Sequence, residues 1–154
     1  MFIFDMEKVK VDLVVTGYVF NDKKEFLLIY HNKLNKWLPV GGHMEQNETP
    51  DEALLREVSE ETGLSVEILG KSEIGMGGNV KTNLATPFHV NVHNVGDHDH
   101  CSLFYVCKAK GSGEIKLQEE EVGGFKWVKK EDLNQEFIPK DVRNIALKAF
   151  ETVE

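Results

Sequence analysis

The stretch Gly42–Leu64 contains a helix whose two ends are marked in the sequence, and the rest of the chain has to fold around it. Thr49 can cap the N-terminus, and Pro50 suits the first helical position because its missing N–H is not needed there. Glu52 completes a capping box with Thr49. Gly63 is the kind of residue that commonly ends a helix. The sequence therefore predicts a helix from Pro50 to the residue before Gly63.

The predicted helix has an aliphatic face beside a carboxylate face. At 100° per residue, three aliphatic side chains fall on one arc that we expect to face the core: Leu54, Leu55 and Val58. Three carboxylates cluster on a neighbouring arc: Glu57, Glu60 and Glu61. Like charges at this spacing repel by roughly a few tenths of a kcal/mol per pair, and Mg²⁺, which prefers oxygen ligands, would remove that repulsion. From the residues alone, a metal site and a solvated acidic face both remain open.

The spacing of the whole stretch is more specific than its composition. It runs Gly42, five residues, Glu48, seven residues, Arg56-Glu57-Val58, one residue, Glu60-Glu61, one residue, Gly63-Leu64. This order resembles the Nudix box, G-x5-E-x7-R-E-U-x-E-E-x-G-U with U aliphatic, and every specified position is filled. At ordinary residue frequencies, chance agreement is on the order of one in 10⁸ or rarer per starting position.

The resemblance to Nudix hydrolases implies both a fold and a chemistry. The implied fold is α+β, an α/β/α sandwich with a mixed β-sheet, in one domain over residues 1–154. Nudix hydrolases cleave nucleoside diphosphates linked to another moiety, by water attack on phosphorus with divalent cations. The resemblance implies that Mg²⁺ or Mn²⁺ is held by the backbone of Gly42 and by Glu57, Glu60 and Glu61. It also implies that Glu57 and Glu60 act in catalysis, while Glu48 and Arg56 brace the loop against the helix.

A glutamate outside the box is expected to complete the site. In many family members, a glutamate a few residues before a Trp-containing strand binds metal or serves as general base. Here Glu119–Glu121 precede Trp127, and Glu121 has the preferred spacing. The alternative interpretation is that these carboxylates only keep a loop soluble.

A short basic loop before the box offers contacts for a substrate phosphate or base. His31, Lys33 and Lys36 lie in this loop, immediately ahead of Trp37. Surface solvation would also explain the charged residues, and Trp37 and Phe88 could be core residues rather than platforms on which a base stacks. These five residues are the candidate substrate-binding set.

Composition and charge limit the partners. The net charge is −8 and the isoelectric point is near 5.3, whereas a general nucleic-acid or anionic-membrane surface needs a basic field. The apolar residues Phe2–Phe4 are followed by Asp5 and are too few for a signal peptide. No apolar run reaches the ~18 residues of a membrane span. We therefore expect a cytoplasmic protein that acts on a small nucleotide, and a homodimer is compatible with the sequence.

Segments rich in β-branched and aromatic residues predict a framework of strands. Val11–Phe20 and Phe26–Tyr30 flank a polar turn and predict a hairpin. Further strands are expected at Ser65–Gly70, Phe88–Val95, Ser102–Ala109 and Phe125–Val128, and an amphipathic helix at Asp141–Val153. In the alternating segment, one side is expected to carry Phe88, Val90 and Val92.

The cysteines and histidines predict neither a disulfide nor a zinc site. Cys101 and Cys107 lie six residues apart in an extended segment, which separates them by about 20 Å, beyond the reach of a disulfide. His98 and His100, beside Cys101, match no common zinc-site spacing. We therefore expect reduced thiols and no structural zinc.

The first functional hypothesis is hydrolysis of a nucleoside triphosphate, including oxidised or noncanonical nucleotides. A short chain without an added domain favours such a substrate over a polymer. Dinucleoside polyphosphates and nucleotide sugars remain open within the same chemistry. A noncatalytic nucleotide-binding module is an alternative of another class, which loss of box carboxylates would favour, and none is lost here.

Overall fold

The computed structural model describes residues 10–154, which form an eight-stranded sheet and two α-helices. The strands are β1 (Val11–Phe20), β2 (Phe26–His31), β3 (Lys36–Leu38), β4 (Val40–His43), β5 (Val66–Ile68), β6 (His89–Asn94), β7 (Asp99–Ala109) and β8 (Val122–Val128). The helices are α1 (Pro50–Thr62) and α2 (Lys140–Val153), with a 3-10 turn at Lys130–Asp132. The expectation about a signal peptide at Met1–Asp5 lies outside the described residues.

The sheet is mixed, and its centre is a long parallel pair. β1 and β7 run parallel from Val11 opposite Asp99 to Phe20 opposite Lys108. The other pairings are antiparallel: β2 with β1, β3 and β8, β4 with β1, and β5 and β6 with β7. The predicted hairpin is confirmed, although β1 and β2 pair only where Phe20 lies opposite Phe26. Further along the same edge, β1 pairs with β4 instead.

The two helices cover opposite faces of this sheet. Alternate residues of β1 point to opposite faces, so Val15 and Val19 lie in the core cluster under α1, while Tyr18 and Phe20 lie in the cluster under α2. α2 buries the apolar stripe expected from its sequence: Val142, Ile145, Ala146, Ala149 and Phe150. The arrangement is the expected α/β/α sandwich. No helix among residues 10–154 is long and apolar enough to cross a membrane.

Helix α1 begins and ends where its sequence predicts. The Thr49 hydroxyl accepts a hydrogen bond from the N–H of Glu52 at 3.2 Å, and the Glu52 carboxylate accepts one from the N–H of Thr49 at 3.3 Å. Gly63 has φ of 71° and donates its N–H to Ser59. The capping box and the glycine stop are both confirmed.

The prediction that Leu55 belongs to the buried face of α1 was wrong. Leu55 is 43% exposed, because α1 packs with a narrower arc centred on Leu54 and Val58, which are fully buried. Val90 and Val92, which share one side of β6, are also exposed, at 49% and 60%. Phe88 precedes β6 and packs instead against Tyr18 in the α2-side core, with ring centroids 6.0 Å apart.

The two cysteines lie on the same strand, as their spacing predicts. Cys101 and Cys107 both belong to β7 and are free thiols. Cys107 is fully buried in the α1-side core.

Candidate active site

Strand β4 brings two glycines into close contact with their neighbours. A Cβ atom at Gly41 would lie 2.1 Å from the carbonyl oxygen of Val15 in β1. A Cβ at Gly42 would lie 2.5 Å from the carboxyl carbon of Glu57 in α1. Since carbon atoms do not approach so closely, only glycine allows β4 to lie flat on β1 while the Glu57 carboxylate rests on the Gly42 backbone.

Glu48 and Arg56 form the brace between the loop and the helix. Arg56 donates from Nε to Glu48 Oε2 at 2.7 Å and from Nη2 to Glu48 Oε1 at 3.0 Å, which is a bidentate pair. Nη2 also donates to the carbonyl oxygen of His43 at 3.0 Å. The hydrogen bonds from Arg56 hold the pKa of Glu48 at about 2. This geometry ties the end of β4 to the middle of α1.

The three box carboxylates differ in exposure. Glu60 has a side chain that is 54% exposed and lies 3.2 Å from Arg56 Nη1. Glu57 is largely buried and accepts a hydrogen bond from the same Nη1 at 2.9 Å. Glu61 is only 4% exposed and accepts a hydrogen bond from the N–H of Gly41 at 2.9 Å. Two carboxylates are thus held beside the Gly41-Gly42 backbone, and the third is at the surface.

Burial and mutual repulsion disfavour the ionised carboxylates. Burial and, to a smaller extent, the charges of Glu57, Glu121 and Glu60 raise the pKa of Glu61 to about 8, in spite of the hydrogen bond from Gly41. Burial also raises the pKa of Glu57, against the opposing effect of Arg56. A group of crowded carboxylates with raised pKa values is a donor set that fits a hard divalent cation, because the cation supplies the missing counter-charge.

Glu121, immediately before β8, lies close enough to the box carboxylates to affect their charge. Its carbonyl oxygen accepts a hydrogen bond from the N–H of Asn32 at 3.0 Å, which holds the start of β8 against the end of β2. Its charge contributes to the raised pKa values of Glu57 and Glu61. These carboxylates line a cavity of about 590 Å³, which we call the carboxylate cavity. Its walls include Gly41, Gly42, Glu45, Glu57, Glu61, Glu120 and Glu121.

The structure places only two of the five candidate substrate-binding residues at the carboxylate cavity. His31 and Lys33 line the carboxylate cavity. Burial lowers the pKa of His31, and the nearby charge of Glu121 opposes this. Lys36, Trp37 and Phe88 line neither this cavity nor the smaller cavity described below. Trp37 packs against the rings of Tyr30 and Phe137, at 5.4 and 6.0 Å, beneath the ammonium group of Lys126.

A second, smaller cavity was not foreseen from the sequence. It has a volume of about 200 Å³ and adjoins the carboxylate cavity, sharing Gly41, Gly42 and Glu61 with it. Most of its surface is apolar, with side chains from β1, β3, β7 and α2: Tyr18, Leu38, Phe104, Val142 and Ile145. These residues are ordinary core types in the sequence, and only the packing of α2 on the sheet leaves a space between them.

Four further side chains form a cluster: Asp12, His43, His98 and His100. The three histidines line the larger cavity. The spacing of His98 and His100 was visible in the sequence, but it matches no common metal motif. Nothing in the sequence places Asp12 or His43 beside them.

Comparisons with known proteins agree with this fold. A family model described as the NUDIX domain matches residues 10–149. A hydrolase of the NUDIX family from Clostridium perfringens is 31% identical in sequence, with a TM-score of 0.80 over 93% of this chain and 98% of that one.

Two more distant structures share the fold alone. A MutT protein from Methanosarcina mazei Go1 is 20% identical, with a TM-score of 0.74 over 97% of this chain and 99% of that one. An Ap4A hydrolase from C. elegans, in a binary complex, is 16% identical, with a TM-score of 0.70 over 92% and 96%. Because the family model spans nearly all the described residues, the chain belongs to the NUDIX family and is a Nudix pyrophosphohydrolase.

Proposed function

We propose that this protein hydrolyses the pyrophosphate linkage of a small nucleotide with Mg²⁺ or Mn²⁺, and that a nucleoside triphosphate, including oxidised or noncanonical ones, is the substrate. The observation that carries the proposal is that Glu57, Glu61 and Glu121 line one cavity with Gly41 and Gly42, whose backbone lies against Glu57 and Glu61. Pyrophosphate hydrolysis needs negative charge neutralised, a water held in line and a group that takes the proton of that water.

The metal ligands in this proposal are Glu57, Glu60, Glu61 and the backbone of Gly42. A divalent cation bound there would neutralise charge on the phosphoryl oxygens as the P–O bond breaks. Arg56 orients Glu57 and Glu60 through its Nη1 hydrogen bonds while its other atoms hold Glu48. Arg56 is therefore a positioning residue.

Glu121 is the proposed general base. It lines the same cavity as Glu57 and Glu61, and its carboxylate can accept the proton of the attacking water. His31 and Lys33 border the same cavity and are the proposed contacts for the phosphates. Substrate contacts by Lys36, Trp37 and Phe88 stay a prediction. In the structure, Trp37 and Phe88 each pack against another aromatic ring.

The size and lining of the two cavities support a small nucleotide. The carboxylate cavity suits phosphates held through a cation, and the adjoining apolar space under α2 suits a planar base. Dinucleoside polyphosphates and nucleotide sugars contain the same linkage and are the alternative substrates. The intact carboxylate set disfavours a noncatalytic binding module.

The deciding experiment is a screen for phosphate and pyrophosphate release over nucleoside triphosphates, oxidised nucleotides, dinucleoside polyphosphates and nucleotide sugars with Mg²⁺. On the best substrate, Glu60→Gln and Glu121→Gln should each lower kcat by roughly 100-fold or more. Glu67→Gln, an exposed carboxylate of β5, is the matched control and should be unchanged. Absence of turnover on all substrates, or a fully active Glu60→Gln, would defeat the enzyme mechanism.

Thermal unfolding separates the catalytic interpretation from a binding module. Mg²⁺ should raise the melting temperature of the wild type, since a ligand that binds only the folded state stabilises it, and should raise that of Glu60→Gln less. A nucleotide that raises the melting temperature with Mg²⁺ present but is never cleaved would indicate a sensor instead.

A further inference from the structure

Strand register brings four metal-ligating side chains to one place. Asp12 of β1 is directly opposite His100 of the parallel strand β7. His43 of β4 is opposite Val14, two residues from Asp12, and therefore shares its face of the sheet. His98 precedes β7 by one residue and lies two positions from His100. The four residues come from three separate parts of the chain, so their meeting is a product of the fold.

Three distances between the donor atoms are close to those of a tetrahedral site. Asp12 Oδ2 lies 3.4 Å from His43 Nε2 and 3.6 Å from His98 Nε2, and His98 Nε2 lies 3.2 Å from His100 Nε2. All four donor atoms lie within 4.8 Å of one another. Around zinc, with ligand bonds of about 2.0–2.1 Å, tetrahedral donors are separated by about 3.3–3.4 Å. A single ion could therefore contact all four with little movement of the side chains.

The second ring nitrogen of His98 is also bound in the manner of a metal ligand. His98 Nδ1 lies 2.7 Å from Asp97 Oδ1. Metal-bound histidines usually donate this other N–H to a carboxylate, which fixes the tautomer and directs Nε2 at the ion. Asp12 is similarly divided: Oδ1 lies 3.5 Å from the ammonium of Lys10, while Oδ2 points to the histidines.

We propose that Asp12, His43, His98 and His100 form a binding site for Zn²⁺ or a closely related transition-metal ion, separate from the carboxylate site for Mg²⁺. Three imidazoles and one carboxylate select Zn²⁺, Cu²⁺, Ni²⁺ or Co²⁺ over Mg²⁺, which prefers oxygen ligands. This proposal reverses the expectation from sequence spacing that the histidines hold no zinc.

The histidines of this site line the carboxylate cavity, so a bound ion would affect the surroundings of the substrate. His43, His98 and His100 line the same cavity as Glu57, Glu61 and Glu121, together with Val95 and Asp97 from the turn between β6 and β7. An ion bound to His98 ties this turn to β1 and β4 and places positive charge at the cavity wall. Occupancy of the site therefore sets the position of the β6–β7 turn beside the substrate.

The test is metal binding by the full chain, without an affinity tag and after removal of metals by a chelator. Titration with Zn²⁺ in excess Mg²⁺ should show one high-affinity ion per chain. Co²⁺ should give the intense visible absorption of a tetrahedral complex, with no thiolate charge-transfer band. Zn²⁺ should also raise the melting temperature. Weak or octahedral binding that Mg²⁺ abolishes would overturn the proposal.

Variants assign the binding to these residues. His98→Ala and Asp12→Asn should each lower the Zn²⁺ affinity by more than the roughly 10- to 100-fold loss expected for Asp97→Asn. His89→Ala, an exposed histidine of β6 outside the cluster, is the matched control and should bind as the wild type. Cys101→Ser should also bind normally, which excludes a thiol ligand. Equal Zn²⁺ affinity in His98→Ala, Asp12→Asn and the wild type would refute the assignment.

Two controls separate this proposal from folding defects and from the hydrolase mechanism. The metal-free melting temperature of His98→Ala should equal that of the metal-free wild type within error, so that lost binding reflects lost ligands. Glu60→Gln should bind Zn²⁺ normally even though its hydrolysis is strongly reduced. The zinc site and the hydrolase mechanism can therefore fail independently.

Discussion

Two adjacent glycines of β4 should fail in different ways when changed to alanine. At Gly41, the new Cβ would lie 2.1 Å from the carbonyl oxygen of Val15 and 3.0 Å from the Cα of Thr16. These are backbone atoms of β1, which is held along its length by β7, so they cannot rotate away. Overpacking typically costs about 1–3 kcal/mol, and a contact with fixed backbone belongs at the upper end or above. At about 2–4 °C per kcal/mol, Gly41→Ala should lower the melting temperature by about 6–12 °C or more.

At Gly42, the same change meets a movable side chain. The new Cβ would lie 2.5 Å from Cδ of Glu57 and 2.6 Å and 2.7 Å from its two oxygens. The carboxylate can swing away, so the free energy of unfolding should change by less than about 1 kcal/mol. Ordinary contact begins near 3.4 Å, so Cδ must move by roughly 1 Å, which strains the 2.9 Å hydrogen bond from Arg56. A misplacement of ~1 Å at a catalytic group can cost about 100-fold in rate, and kcat/KM with Mg²⁺ should fall by about that factor.

The assay pairs thermal melts without metal with hydrolysis of the best substrate from the screen. Gly124→Ala in β8 is the control, because its Cβ would make only an ordinary contact, 3.5 Å from Trp37, and should change neither measurement. A Gly41→Ala variant that melts at the wild-type temperature, or a Gly42→Ala variant with full activity, would contradict these roles of the two glycines.

Three further predictions concern stability. Because Arg56 holds the pKa of Glu48 at about 2, below the ~4.3 of an unfolded chain, its stabilisation is present above pH ~4.3 and lost as the pH falls toward 2. The difference in melting temperature between the wild type and Glu48→Gln should therefore shrink over that interval, and a constant difference would contradict this. Thr49→Ala should cost about 1 kcal/mol in urea unfolding through loss of the N-cap, and a cost near zero would mean that solvent replaces the cap. Leu54→Ala should cost about 2–5 kcal/mol and Leu55→Ala less than about 0.5 kcal/mol, since only the first is buried; equal costs would argue against the observed packing of α1.

Much of the fold follows from short-range patterns. The ends of α1, the amphipathic stripe of α2 and the existence of β1, β2 and β7 were predicted because caps, helical periodicity and β-branched runs act over a few residues. The sequence was less informative about burial. Leu55 and Leu54 are equally aliphatic, and whether each is covered depends on the direction from which the sheet packs against α1.

Strand β6 also shows that the sequence does not determine which face is buried. The alternation of β6 is real, but its apolar side, Val90 and Val92, is the more exposed one. Alternation predicts that two faces differ, and the placement of the helices decides which face is covered.

The carboxylate helix could be predicted from local sequence alone, because helical geometry brings Glu57, Glu60 and Glu61 together within one turn. The burial of Glu61 against Gly41, and the presence of Glu121 in the same cavity, depend on the tertiary fold. The same holds for the cluster of Asp12, His43, His98 and His100, which depends on the registers of β1 with β4 and β7. Strand register is set by side chains far apart in the chain, so local spacing carries no information about it.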